Sequence, residues 1–335
     1  MRKVVVYGGG NIAHSLAAVI SATQQVFVVT RRPNEWHCHL KSEKDGVINS
    51  SKFFIEATDN HAVIEDADVL FICLPQFLID NVLERIFPHL NPRTVVVFVP
   101  APAKSYLYAE ILRKKGIRVI GFQRVPFISR IIKYGRSVKI SNNREIHKIA
   151  VSNEKLMEFC CAMCDKWFGG SIVFLSSFLT FSFSNSNPLL HPSRLIVLFD
   201  KWREKKFTYN PPFYGEWTDA SSELYLAADY EMKCVMQKYS CFDMLIDYES
   251  VLDHYNVKNA HELTLKLQSI SSFREILSPM KKQGELWVPD FESRYFTEDV
   301  NFGLRILVEF AEKNNVPIPI IQGIKERMRE ICFQG

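Results

Sequence analysis

Apolar residues in the first half of the chain fall into short continuous runs separated by helically spaced stretches. Lys3–Tyr7 is such a run, Asn11–Ala22 gathers its apolar residues on one helical face, and Val26–Thr30 is a second, β-branched run. The spacing predicts a strand, a helix and a strand. The alternation then repeats: Asp68–Leu74 reads as a strand ending at Pro75, Phe77–Ile86 as a helix, Thr94–Val99 as a strand ending at Pro100, and Tyr106–Lys115 as a helix. Arg118–Gly121 opens a further strand. After an irregular stretch come a short strand at Val138–Ile140, a helix around Glu154–Phe168 and a strand at Ser171–Leu175. Short, wholly apolar strands alternating with helices suit a parallel sheet covered on both faces, so the expected class is α/β with a doubly wound sheet.

After about Ser176 the period changes. Arg194–Lys205, Ser221–Tyr239, His261–Ser269, Glu298–Asn314 and Pro319–Ile331 all carry helical spacing. The pattern predicts a Rossmann domain over residues 1–176 followed by an all-helical domain over 177–335. With 335 residues, 47% of them hydrophobic, each domain has enough apolar material for a core.

Composition removes several classes of function. The 41 basic and 37 acidic residues, net charge +4, are scattered without a basic block, which points away from nucleic acid. Val4–Tyr7 runs into glycines before it reaches the length of a signal-peptide core, and Ile172–Phe183 falls short of the roughly 20 residues of a membrane span. The expectation is a cytoplasmic protein without membrane contact, with a homodimer as the assembly considered. Cys160, Cys161 and Cys164 include a C-x-x-C, but no second cysteine pair or His-x-x-His lies near it. These thiols are expected to pack as small hydrophobes, and no metal is expected.

The first chemistry lies in Gly8-Gly9-Gly10-Asn11-Ile12-Ala13, a G-x-G-x-x-A between a strand and a helix. Gly8 and Gly10 let the backbone turn tightly and approach a pyrophosphate, whose charge is met by the free N–H groups of Asn11 and Ile12 at the helix start. Ala13 is small enough for helix and strand to pack closely. At the end of the second strand, where an acid would bind the ribose of NAD, the chain has Thr30, Arg31 and Arg32. Two guanidiniums and a hydroxyl suit a 2′-phosphate, so NADP is expected over NAD. Leu74 and Pro75, ending the next strand, complete the expected cofactor contacts, and His14 ranks as an accessory phosphate contact.

Three sites in the rest of the chain carry further chemistry. His191, between Pro188 and Pro192 at the expected start of a helix, titrates near neutrality when unperturbed, with Asn187 just before it. Thr297 reads as a helix cap, followed by Glu298 and Asp299 at the positive helix end; Arg294 before them suits a substrate carboxylate. Arg124, after a strand end, is assigned to a second carboxylate.

His-Pro after Asn-Pro, then Arg294-Tyr295, Glu298-Asp299-Val300 and Gly303-Leu304 far downstream, together resemble the opine dehydrogenase family of octopine and nopaline dehydrogenase type. Phe213-Tyr214-Gly215-Glu216, Asp229-Tyr230-Glu231 and Val316-Pro317-Ile318-Pro319 extend the resemblance over nearly the whole chain. It implies reductive condensation of an α-keto acid with an amino acid or amine by a reduced nicotinamide cofactor. It also implies a catalytic pair, His191 with Asp299, and Arg294 holding carboxylate. Ser193, Asn301 and Phe302 depart from the family pattern. Two other readings stand beside it: a hydroxy or keto acid reductase of the ketopantoate or glycerol phosphate type, which would use a lysine such as Lys201, Lys205 or Lys233, and a non-catalytic NADP-binding protein.

Overall fold

The computed structural model describes residues 3–240, 248–271 and 273–333. The chain divides into two compact units, Met1–Ser182 and Phe183–Gly335.

The first unit is built around central strands too apolar to lie anywhere but in a core. Val4–Tyr7 (β1), Val26–Val29 (β2), Lys41–Lys44 (β3), Val47–Ser50 (β4), Ile55–Thr58 (β5), Val69–Ile72 (β6), Val95–Phe98 (β7), Arg118–Phe122 (β8), Phe127–Lys133 (β9), Ser137–Asn143 (β10), Ile146–Val151 (β11) and Ser171–Phe174 (β12) follow in chain order. Every residue of β1, β6 and β7 is buried, as the middle of a sheet covered on both faces requires. Eight strands form one sheet in the order β12-β11-β8-β7-β6-β1-β2-β5. All its pairings are parallel except β8 with β11. The chain leaves β1 toward β2 on one side and returns to β6 on the other, so the strand order reverses at β1. Ligands of open parallel sheets bind at such a reversal, beyond the carboxyl ends of the strands. The helices of this unit are Asn11–Ile20 (α1), Gln76–Ile86 (α2), Ser105–Lys114 (α3) and Leu156–Trp167 (α4); Leu179–Ser184 (α5) straddles the division.

A second sheet, β4-β3-β10-β9, packs on α1 and was not expected from the pattern. The Asn11 side chain accepts from the Ile131 N–H at 2.9 Å, and the Ser129 hydroxyl donates to the Asn11 carbonyl at 3.3 Å. These bonds fix the start of α1 from outside. In β9 the residues Phe127, Ile128, Ser129 and Arg130 alternate buried and exposed, the signature of a strand with one covered face. Arg124 lies exposed in the turn before it.

The second unit is mainly helical: Asn187–Phe199 (α6), Asp219–Ser240 (α7), Val251–Tyr255 (α8), Ala260–Ser269 (α9), Arg305–Lys313 (α10) and Pro319–Phe333 (α11). It also contains a hairpin, Met280–Gln283 (β13) with Leu286–Pro289 (β14), so the expected all-helical character holds for the bulk and not for this ribbon. Phe199, Phe213, Trp217, Tyr225 and Phe296 are its largest fully buried side chains. Glu231 on α7 receives the N–H groups of Ile320 and Ile321, both at 2.8 Å, and so neutralises the positive end of α11. That bond gives the Asp229-Tyr230-Glu231 segment a structural role. Among the described residues no helix is long and apolar enough to cross a membrane.

Two helix boundaries differ from expectation. The helix expected at Arg194–Lys205 runs from Asn187 to Phe199, with Pro188 in its first turn and Pro192 inside it. His191 therefore sits within a helix. Thr297 is not a cap: its hydroxyl donates back to the Ser293 carbonyl at 3.1 Å, within a π-helical run, Tyr295–Leu304, that leads into α10. Such widened turns occur often at functional sites.

Candidate active site

The glycine turn between β1 and α1 has the features a pyrophosphate requires. Gly8 adopts φ +140°, a conformation open to glycine, and a Cβ there would lie 2.6 Å from the Cys73 carbonyl oxygen. Gly10 is the helix N-cap and supplies no side-chain cap, so the first N–H groups of α1 have no side-chain acceptor, and a Cβ at Gly10 would meet nothing within 4 Å. Ala13 is fully buried between helix and sheet, and Ile12 packs on the same core. Leu74 is half-buried and Pro75 exposed, at the carboxyl end of β6 beside this turn.

Around Thr30 the structure adds a residue that the sequence did not suggest. The Tyr134 hydroxyl lies 3.2 Å from the Thr30 hydroxyl, and the Arg32 guanidinium rests 3.7 Å above the Tyr134 ring. Thr30 is thus buried under protein contacts, while Arg31 and Arg32 are exposed, Arg32 pairing at 3.5 Å with Glu35. A stacked guanidinium keeps its N–H edge open to an anion. His14 is not a phosphate contact. Its Nε2 accepts from the Gly135 N–H at 2.8 Å, which leaves Nδ1–H to donate to the Gly10 carbonyl at 3.0 Å. Burial, with Arg32 nearby, lowers its pKa to about 4, so it is a neutral strut.

In the second unit, His191 and Asp299 meet although 108 positions separate them: His191 Nδ1 lies 2.8 Å from Asp299 Oδ2. The close approach of α6 to the π-helical run depends on Gly303, where a Cβ would come 2.5 Å from the Pro188 ring. On its other side, His191 Nε2 lies 2.9 Å from the Tyr214 hydroxyl. In the neutral ring Nδ1 donates to the carboxylate and Nε2 accepts from Tyr214; in the imidazolium both nitrogens donate. The Tyr295 ring lies tilted against the imidazole at 4.3 Å, and Phe213 meets it edge-on at 5.6 Å. The side chains of His191 and Asp299 are only 10% and 15% exposed, a setting in which a charge-assisted bond is strong. Burial, with the Asp299 charge nearby, raises the pKa of both Tyr214 and Tyr295 and keeps their hydroxyls protonated. A proton carried at Nε2 would be held in place by the carboxylate behind it. That arrangement suits general acid–base chemistry on a carbonyl or imine.

The remaining candidates do not join this cluster in the same way. Arg294 is 83% exposed and bonds Glu298 at 2.8 Å. Asn187 is exposed at the start of α6. Cys160 and Cys164 are buried on the inner face of α4, and burial pushes both thiols up to about 12, while Cys161 faces solvent. Tyr214 and Tyr295 were visible in the sequence only as parts of family-like segments. An aromatic or hydroxyl partner tens of residues away leaves no local signal.

An open parallel sheet with a glycine turn at its reversal, followed by a helical unit holding a buried His–Asp pair, defines a two-domain pyridine-nucleotide oxidoreductase. Residues 174–332 match the family model described as the NAD/NADP octopine/nopaline dehydrogenase alpha-helical domain, and residues 3–102 match that of NADP oxidoreductase coenzyme F420-dependent proteins. Tauropine dehydrogenase of Arabella iricolor is 25% identical over 97% of this chain and 90% of its own. A structure of octopine dehydrogenase with NADH and L-arginine, 22% identical, superposes with a TM-score of 0.84 over 98% of this chain and 89% of that one. A structure of yersinopine dehydrogenase with NADP+ bound, 17% identical, gives 0.74 over 99% and 91%. Over residues 174–332 the chain is similar to the opine dehydrogenase family, and it is an NAD(P)-dependent enzyme acting on CH–NH bonds. This assignment replaces the hydroxy-acid reductase and the non-catalytic readings.

Proposed function

We propose that the chain condenses an α-keto acid with an amino acid or amine and reduces the resulting imine to a secondary amine, a dicarboxylic acid where the partner is an amino acid, with NADPH as reductant, in the cytoplasm. The observation that carries the reading is the His191–Asp299 bond at 2.8 Å, with the second ring nitrogen facing the Tyr214 hydroxyl. When bound, the reduced nicotinamide supplies the hydride. His191 supplies the proton: Nε2 polarises the substrate carbonyl and then protonates the imine nitrogen, while Asp299 holds the ring by Nδ1 and balances its charge. The substrate must exchange places with the Tyr214 hydroxyl at Nε2, which returns when the product leaves. The domain that binds the dinucleotide is assigned to residues 1–176 and the substrate domain to 177–335. Its cofactor contacts are Gly8, Gly10, Asn11, Ile12, Ala13, Thr30, Arg31, Arg32, Leu74 and Pro75. Arg294, by exchanging Glu298 for a ligand, Asn187 and Arg124 are assigned to the substrates.

Related structures support the substrate class: octopine dehydrogenase forms complexes with L-arginine, with agmatine and with pyruvate. The test is a matrix of keto acids and amino acids scored by NADPH oxidation. At least one pair is expected to give rapid oxidation that neither member supports alone. Full-rate oxidation with a keto acid alone would contradict the reading.

The preference for NADPH rests on Arg31 and Arg32, whose exposed guanidiniums stand at the end of β2 with no acid in the ribose position. Replacing Arg31 by Asp and Arg32 by Ala together is expected to weaken NADPH about ten-fold or more, about 1.4 kcal/mol, and to spare NADH. Equal losses for both cofactors, read by fluorescence titration, would remove these arginines from cofactor choice.

A further inference from the structure

We infer that Arg194 is the anchor for the α-carboxylate of the keto acid; this deepens the proposed reaction and rests on it. Arg194 follows His191 by three positions on α6, so the two side chains leave the same helix face with Cβ atoms about 5–6 Å apart. Both reach the same segment of chain, His191 at Tyr214 and Arg194 within the fields of Glu216 and Tyr209.

Arg194 is 4% exposed, yet its Nε has no hydrogen-bond partner, and among the described residues no carboxylate closes on it as an ion pair. Glu216 acts on it from further away; that acid is exposed and is held by the Tyr209 hydroxyl at 3.0 and 3.2 Å. Burial lowers the Arg194 pKa to about 10, which still leaves it charged at neutral pH. A buried charge without a partner destabilises a fold, and such a group persists where a ligand completes it.

The planar guanidinium fork fits a carboxylate through two parallel bonds. In an α-keto acid the carboxylate is bonded directly to the carbonyl carbon. The group that holds it must therefore lie about one helical turn from the group that protonates the carbonyl oxygen, which is the relation of Arg194 to His191. The surface pair Arg294–Glu298 has neither this burial nor an open donor set, and is left for the second carboxylate of the product.

The test is calorimetric titration of the NADP+-loaded chain with pyruvate, for the wild type, Arg194→Met and Arg194→Lys, alongside their melting temperatures. Arg194→Met is expected to weaken pyruvate binding by about ten-fold or more without lowering Tm, because it removes an unpaired buried charge. Arg194→Lys, which keeps charge but loses the fork, is expected to fall between. Should the Met variant fail to fold, the Lys variant decides by the same two readings. Affinity equal to the wild type in either folded variant, whatever its Tm, overturns the inference and leaves the proposed reaction standing. A wild type that binds no pyruvate overturns the inference, and the substrate matrix then reports separately on the reaction.

Discussion

Replacing His191 by Ala or Asp299 by Asn is expected to lower kcat by about 10²–10⁴-fold, the range that a positioned acid–base group contributes. Cofactor affinity is expected to stay near the wild-type value, since both residues belong to the second unit and the glycine turn to the first. Asp299 has no route to the reacting atoms except through the imidazole it holds at 2.8 Å. Once His191 is gone, the carboxylate has nothing left to orient. The double variant is therefore expected to be no slower than His191→Ala, so that the two losses fail to add. Steady-state rates at saturating substrate, with NADPH titrations of each variant, check both parts. Full activity in either single variant removes the pair from the mechanism.

The second large effect is expected at the glycine turn, where two substitutions separate folding from binding. Gly8→Ala forces a Cβ to 2.6 Å from the Cys73 carbonyl oxygen at a φ of +140°, so β1 and β6 must part at the cofactor edge of the sheet. It is expected to lower stability by about 1–3 kcal/mol and to abolish measurable NADPH binding. Gly10→Ala meets no protein atom within 4 Å and keeps an allowed backbone conformation. Its melting temperature is expected to stay close to the wild-type value. Its NADPH affinity is expected to fall about ten-fold, because the new methyl group stands where the phosphate approaches the amides of α1. A Gly10→Ala variant that binds NADPH unchanged would place the pyrophosphate elsewhere.

The sheet that carries this turn was legible because its strands are continuous apolar runs such as Val4–Tyr7 and Val95–Phe98, buried on both faces. The second sheet was not. β3 is polar, β4 is exposed along its whole length, and β9 carries its signal as alternation within a segment that also reads as a surface loop. The start of α6 was hidden by Pro192, which argues against a helix interior by removing a backbone donor. Reading the helix only from Arg194 put His191 ahead of it, and so missed that His191 and Arg194 share a face.

The pairing of His191 with Asp299 came from resemblance, since nothing in either local sequence names a partner 108 positions away. Tyr134, stacked under Arg32, and Tyr214, at the second nitrogen of His191, were brought to their sites by tertiary packing alone. Arg294 shows how a local reading meets a local neighbour. Its place before an acidic helix end suggested a clamp, and i,i+4 geometry gave it Glu298 as a neighbour.

The central claim is that this chain makes a new carbon–nitrogen bond and reduces it. It is tested most directly by running the reaction with reduced cofactor deuterated at its transferable position and identifying the product by mass spectrometry. The expected product is a secondary amine dicarboxylic acid with one deuterium on the former carbonyl carbon, now joined to nitrogen. A deuterated 2-hydroxy acid, with the amine recovered unchanged, would contradict the account.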